Sequence, residues 1–165
     1  MANYKGHIGG AVRVCADLVI IVMFLPVAWV AKTGSVFSSW QLLSALFVVA
    51  ILFGLWPDVD TNSKAQDIFF GIAFILDVFL IMLGYLEAAA YLGLLAMTPI
   101  VGKHRGWTHK KWAMVIVPLP LLIVPYLYQP ENLLLGFLFY CSAVAGYFSH
   151  LLLDGLVFNK IRIKN

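Results

Sequence analysis

Residues 133–154 read LLLGFLFYCSAVAGYFSHLLLD, an apolar run without lysine or arginine in which the first acidic side chain is Asp154. A helix needs about 20 apolar residues to cross the hydrocarbon core of a bilayer, and this run is long enough. The whole chain is similar in character, since 62% of its 165 residues are hydrophobic, 12% are charged and the mean hydropathy is +0.93. Soluble domains contain about 45–50% apolar and about 25% charged residues. The sequence therefore predicts an integral membrane protein without a separate soluble domain, so any chemistry must lie in or at the bilayer.

Six apolar stretches predict an all-α, polytopic transmembrane helical bundle that forms a single membrane-embedded domain over residues 1–165. The predicted spans are residues 14–30, 40–56, 68–83, 85–101, 112–128 and 133–153. Residues 68–101 are too many for one crossing, and two helices separated at Gly84 or one broken helix are both compatible with the pattern. The first span is predicted to be retained, because Arg13 and Asp17 and the lack of a small-residue cleavage site are not typical of a signal peptide.

The basic residues predict the orientation of the bundle. With six spans, both termini and the loops at residues 57–67 and 102–111 face one compartment. Of the 11 lysine and arginine residues, Lys32 alone falls on the opposite side. The positive-inside rule makes the first side, with both termini, cytoplasmic. Because these charges are scattered over short loops, the net charge of +3 indicates contact with anionic lipid headgroups and no nucleic-acid partner.

Histidines and aspartates gather at the predicted cytoplasmic face. They occur in WPDVD at residues 56–60, HRGWTH at 104–109 and SHLLLD at 149–154, with one more histidine near the N-terminus. The candidate metal ligands are His7, Asp58, Asp60, His104, His109, His150 and Asp154. Because ionisable groups in membrane spans are costly, a cluster of this kind indicates a functional site.

The spacing within these motifs is compatible with shared metal binding. His150 and Asp154 are four residues apart, which places both on one helix face one turn apart. After Pro57, an extended segment would point Asp58 and Asp60 to the same side, because proline biases the residue before it away from helical geometry.

The other histidines need glycine to approach the site. His104 and His109 are five residues apart and meet only if Gly106 breaks the segment into a loop followed by a helix start. His7 lies beside Gly6 and ahead of Gly9 and Gly10, where the chain can come close to neighbouring helices.

Imidazole and carboxylate ligands suit a divalent transition metal better than Ca²⁺, with Zn²⁺ favoured and Mn²⁺ or Fe²⁺ also compatible. Seven candidates exceed the needs of one tetrahedral ion, so one or two ions are expected. Such a site favours metal-assisted hydrolysis, because the metal lowers the pKa of a bound water towards ~7. The candidate catalytic residues are Asp60, Arg105 and His109. In this interpretation a carboxylate serves as general base and Arg105 holds a substrate phosphate.

Ionisable and thiol side chains also occur within the spans. Cys15 and Cys141 lie in apolar runs without C-x-x-C spacing, which predicts buried thiols and neither a disulfide nor a thiolate metal site. Asp17 and Asp77 are predicted to line a polar cavity, to pair with a basic residue such as Arg13, or to support the ligands.

Four motifs taken in order resemble the YdjM-like family of inner-membrane metal-dependent hydrolases. They are Gly6-His7, Pro57-Asp58-Val59-Asp60, His104 to His109, and Gly146 to Asp154. The resemblance implies a protein of the bacterial or archaeal cytoplasmic membrane that is a hydrolase, with the shared histidines and aspartates as metal ligands. The ligand types are also similar to those of zinc-dependent phospholipase C enzymes, which favours phosphoester substrates.

The leading hypothesis is a cytoplasm-facing, metal-dependent hydrolase of a phospholipid or lipid-linked phosphate ester that arrives laterally through the bilayer. A metal transporter or sensor is an alternative, but the far face has no matching His/Asp cluster. A membrane metallopeptidase or amidase is another, although the H-E-x-x-H motif is absent. An inactive interaction subunit would require the candidate ligands to coincide by chance.

Overall fold

A computed structural model describes residues 3–24, 39–59, 63–98 and 107–157, and these residues form helices and no strands. The α-helices are α1 (Tyr4–Met23), α2 (Trp40–Leu55), α3 (Lys64–Met82), α4 (Leu86–Met97), α5 (Lys111–Ile116), α6 (Leu119–Tyr128) and α7 (Leu133–Leu153). Short 3-10 turns lie at Trp56–Asp58, Trp107–His109 and Pro130–Asn132. The prediction of an all-α protein is confirmed.

Five helical segments among the described residues are long and apolar enough to cross a membrane. They are Tyr4–Met23, Trp40–Asp58, Lys64–Met82, Lys111–Tyr128 and Pro130–Leu153. The fourth predicted span, residues 85–101, corresponds to α4, which is shorter and is followed by residues outside the described ranges. Large apolar side chains such as Phe74, Ile75 and Leu127 are exposed, as expected of helices that contact lipid tails.

Helix α1 begins earlier than predicted. Asn3 caps it, because its side-chain oxygen accepts a hydrogen bond from the Gly6 backbone N–H at 3.0 Å. The helix therefore starts at Tyr4 and not near residue 14, so His7 belongs to its second turn. Residues 25–30 of the predicted first span lie outside the described ranges.

The stretch at residues 68–101 forms two helices. Gly84 has φ +82°, and its N–H donates to the Ile81 carbonyl while the Tyr85 N–H donates to the Leu80 carbonyl. These two bonds form a Schellman motif, which ends α3 at a position suited to glycine. Helices α3 and α4 then lie side by side and enclose a cavity of about 230 Å³ lined by residues of both. The prediction of two helices separated at Gly84 is confirmed, and the alternative of one broken helix is excluded.

Helix α7 packs closely against α1, α2 and α6. Small residues permit this approach: a Cβ added to Gly146 would overlap the backbone of Ala50, and one added to Gly54 would lie 2.8 Å from the Ala11 Cβ. The Ser142 hydroxyl adds a hydrogen bond of 2.6 Å to the Leu46 carbonyl. This packing brings the C-terminal ends of α2 and α7 together beside the N-terminal part of α1.

The other side chains singled out within the spans lie in three different environments. Cys15 is buried and Cys141 is half-buried, and both thiols are free. Arg13 Nε lies 3.5 Å from Asp17 Oδ2 on an exposed part of α1, which confirms the predicted pairing of that aspartate. Asp77 lines the cavity between α3 and α4.

Candidate metal centre

Five of the predicted ligands meet at one end of the bundle. His7 projects from α1, Asp58 from the turn after α2, His109 from the turn before α5, and His150 and Asp154 from the end of α7. Asp60, His104 and Arg105 lie outside the described residues, so their roles stay predictions.

The imidazole Nε2 atoms surround the two carboxylates at similar distances. His109 Nε2 lies 3.5 Å from Asp58 Oδ1, and His150 Nε2 lies 3.7 Å from the same oxygen and 3.8 Å from Asp154 Oδ2. His7 Nε2 lies 3.7 Å from Asp58 Oδ2 and 3.7 Å from Asp154 Oδ1. One ligand atom from each of Asp58, His109, His150 and Asp154 lies within 4.8 Å of the others.

These distances fit a shared cation better than direct hydrogen bonds. Hydrogen bonds from nitrogen to oxygen are usually about 2.7–3.2 Å long. Two ligand atoms bound to one tetrahedral ion at about 2.0–2.1 Å lie about 3.3–3.4 Å apart, close to the separations seen here.

Several buried atoms of the cluster have no hydrogen-bond partner within the part of the chain that the structure describes. They are Nδ1 and Nε2 of His7, Nε2 of His109, Nε2 of His150 and Oδ1 of Asp154. An unsatisfied buried polar atom costs about 1–3 kcal/mol, and a bound cation would satisfy lone pairs on nitrogen and oxygen together. The residues present therefore fit a divalent metal ion.

Backbone and hydroxyl groups orient two of the histidines. His150 Nδ1 lies 2.8 Å from the Gly54 carbonyl, which can only accept, so Nδ1 carries the proton and Nε2 offers its lone pair to the cluster. His109 Nδ1 lies 3.1 Å from the Thr108 hydroxyl, and the Tyr147 hydroxyl donates to the Thr108 carbonyl. The ligand rings are thus held by the same helices that form the bundle core.

Exposure is uneven across the cluster. The side chains of His7, His150 and Asp154 are at most 3% exposed, whereas that of Asp58 is 22% exposed. The His7 and His150 rings stack with centroids 3.9 Å apart, which closes that side of the cluster. Among the described ligand side chains, the cluster is therefore most accessible from the side of Asp58.

The structure corrects one local expectation. Trp56 is helical, with φ −54° and ψ −39°, and Pro57 lies in the first turn of the 3-10 helix Trp56–Asp58. The extended geometry predicted for Asp58 is wrong, because proline is well tolerated in a first helical turn, where its missing N–H is not needed. Asp58 reaches the cluster from this turn.

His109 agrees with the part of its prediction that the described residues test. It lies in a short 3-10 turn directly ahead of α5, as expected of a ligand at a helix start. The loop that contains Gly106 lies outside the described residues.

Two contributors were not predicted from the sequence. The Tyr147 hydroxyl carried a usable signal, because this residue lies three positions before His150 on the same helix. The Gly54 carbonyl carried none, since every residue has a carbonyl and its role depends on how closely α2 and α7 pack.

Comparisons with known proteins place the chain in a family. Neither the search of curated proteins nor the search of solved structures found a match. A family model described as YdjM inner membrane protein matches residues 17–163, which include Asp58, His109, His150 and Asp154 but not His7. Because this match covers most of the sequence, the chain belongs to the YdjM inner membrane protein family.

Proposed function

We propose that this protein is a membrane-embedded, metal-dependent hydrolase that cleaves a phospholipid or a lipid-linked phosphate ester. The observation that carries the proposal is the set of imidazole and carboxylate ligand atoms of Asp58, His109, His150 and Asp154, gathered at one end of the spans. Ionisable groups placed in spans are usually functional. This donor set is typical of zinc enzymes, and manganese or iron would also fit.

In this proposal, the metal-binding and catalytic roles belong to the chain's own residues. The described ligands hold a divalent ion, which would supply Lewis-acid activation of water and of the phosphoryl group. Asp58 is the most exposed of these ligands, at 22%, so it borders the side of the cluster that water can reach. Asp60 is a candidate general base, His109 would act from its place among the ligands, and Arg105 would steady the phosphoryl oxygens.

A lipid substrate is supported by the position of the cluster. The cluster lies at the ends of membrane-spanning helices, close to the depth of lipid headgroups. Apolar side chains on the same end, such as Trp112, Leu153 and Leu156, are 41–47% exposed. A lipid can therefore keep its acyl chains in the bilayer while its phosphate reaches the ligands from the side. We also propose that this end faces the cytoplasm, because it carries most of the basic residues.

A hydrolysis assay on purified protein tests the proposal. Zinc-loaded wild type in detergent micelles should release phosphate or a phosphorylated headgroup from phospholipids, and EDTA should abolish this activity until zinc is restored. Asp154→Asn should lower the rate by about 100-fold or more, since even changes beside a metal ligand typically cost about 10–100-fold.

The matched control is Glu87→Gln, the same carboxylate-to-amide change at an exposed position in the first turn of α4. Its rate should equal that of the wild type. The proposal would be rejected if the metal-loaded wild type hydrolysed neither phospholipids nor soluble phosphate esters.

A further inference from the structure

Both carboxylates of the cluster present their two oxygens to different histidines. Asp58 directs Oδ1 towards His109 and His150, at 3.5 and 3.7 Å, and Oδ2 towards His7 at 3.7 Å. Asp154 directs Oδ2 towards His150 at 3.8 Å and Oδ1 towards His7 at 3.7 Å. The donor atoms therefore fall into two groups that share both aspartates.

The first group is complete for a tetrahedral ion. From the distances above, we assign to it Nε2 of His109, Nε2 of His150, Asp58 Oδ1 and Asp154 Oδ2. These are the four residues that each offer one ligand atom within 4.8 Å of the others. Four protein donors are what a closed tetrahedral zinc site contains. His7 is not needed to complete this group.

The second group consists of His7 Nε2, Asp58 Oδ2 and Asp154 Oδ1. We propose that the centre is binuclear, with Asp58 and Asp154 bridging two divalent ions and His7 acting as a ligand of the second ion only. The two groups use different oxygens of the same carboxylates, which is the arrangement required of bridging ligands. The matched range of the family model, residues 17–163, does not include His7.

The environment of His7 supports the second ion independently. Its side chain is 1% exposed, and neither ring nitrogen has a hydrogen-bond partner among the described residues. Asp154 Oδ1, which faces His7, is also buried and has no hydrogen-bond partner among the described residues. The Nε2 atoms of His7 and His150 lie 3.7 and 3.8 Å from the oxygens of this carboxylate, too far for hydrogen bonds. A single ion in the first group would leave His7 Nε2 and Asp154 Oδ1 unsatisfied, whereas a second ion would bind both of these atoms.

Helix packing holds His7 in this position. A Cβ on Gly10 would lie 2.7 Å from Leu153 Cδ1, so α1 sits directly against the end of α7. The His7 ring also stacks on His150, with an angle of 19° between the planes. His7 is thus fixed beside both carboxylates, as a metal ligand must be.

The two groups differ in how many protein donors they supply. The second has three, which is the number typical of catalytic zinc sites that keep a position for water or substrate. The second ion would therefore keep one position that no protein donor fills and that water could occupy, a role that rests on the proposed hydrolase function. The number of ions does not depend on that function.

Metal counting tests the binuclear centre without an activity measurement. Protein saturated with zinc and freed of excess metal should contain two equivalents in the wild type and one in His7→Ala. Lys5→Ala, an exposed position in the same first turns of α1, is the matched control and should keep two. With manganese, electron paramagnetic resonance should show spin coupling between two ions in the wild type and an uncoupled ion in His7→Ala.

One equivalent in the saturated wild type, or two in His7→Ala, would overturn the proposal. His7→Gln, which keeps a polar side chain of similar length, replaces His7→Ala if the latter does not elute as a single species in gel filtration. Metal-dependent hydrolysis with one ion would leave the proposed function standing and remove the second ion. Two ions without hydrolysis of any phosphate ester would support the binuclear centre and reject the proposed function.

Discussion

Tyr147 links helix α7 to the turn that carries His109. Its hydroxyl donates to the Thr108 carbonyl, and its ring packs against Trp56 with centroids 5.7 Å apart. In Tyr147→Phe the ring packing should persist while the link to the turn is lost. Because groups that orient a metal ligand typically contribute about 10–100-fold to metal affinity, we expect zinc affinity to fall by about 10-fold or more. Competition with a chromophoric chelator measures this change.

A second tyrosine provides the control for that experiment. Tyr140 is on the same helix and donates a hydrogen bond of 3.2 Å to the Val115 carbonyl, which belongs to α5 and not to the turn before it. Tyr140→Phe should bind zinc as tightly as the wild type. Equal affinities for all three proteins would show that Tyr147 does not position His109.

For individual residues, the sequence predicted which side chains belong to the candidate site but not which atoms they contact. The four-residue spacing of His150 and Asp154 correctly indicated one shared helix face, because helix geometry alone determines it. The geometry around Asp58 was predicted wrongly, since Pro57 fits an extended segment and a first helical turn equally well. The spacing of residues in the sequence also does not indicate which carboxylate oxygen faces which imidazole.

Contact between helices α2 and α7 depends on the lack of a side chain at Gly146. An added Cβ would overlap the Ala50 carbonyl oxygen and lie 2.8–2.9 Å from two other backbone atoms of that residue. Backbone cannot move aside as a flexible side chain can, so Gly146→Ala should force the helices apart. We expect a loss of about 1–3 kcal/mol in stability, the usual cost of overpacking, measured as a lower Tm in detergent.

Gly9→Ala is the matched control, because this exposed position in α1 has no atom within 4 Å of an added Cβ. Alanine favours helix over glycine by about 1 kcal/mol at most in such a place, so the Tm should stay constant or rise slightly. A Gly146→Ala protein as stable as Gly9→Ala would show that α2 and α7 do not need this close approach.

The helices themselves followed from apolar length, with informative exceptions. The start of α1 was missed because His7 and other polar residues interrupt the apolar pattern, although they belong to the helix and one of them faces the metal centre. The boundary at Gly84 was predictable, since glycine is the residue that most readily adopts the positive φ of a helix C-terminus. A polar site residue such as His7 therefore makes a helix start hard to predict, whereas a glycine with a required backbone conformation, such as Gly84, makes a helix end easy to predict.

At the scale of the whole molecule, the ligands come from elements far apart in sequence. His7 and Asp154 Oδ1 lie at opposite ends of the chain but within 3.7 Å. Counting spans correctly predicted that these residues share one face, because each crossing reverses the chain. It could not predict which of them touch, since that depends on how the helices pack.

The side of the membrane that this face occupies is the remaining prediction. The positive-inside rule places the metal centre and Lys110 in the cytoplasm and the turn at Glu131 outside it. Both residues are exposed, so each can be changed to cysteine in a Cys15→Ser, Cys141→Ser background and treated with a membrane-impermeant maleimide. Glu131→Cys should be labelled in intact spheroplasts, whereas Lys110→Cys should be labelled only after the membrane is permeabilised. The background protein should remain unlabelled in both conditions. The opposite pattern would place the centre outside the cytoplasm, and the substrate would then have to be a lipid of the outer leaflet.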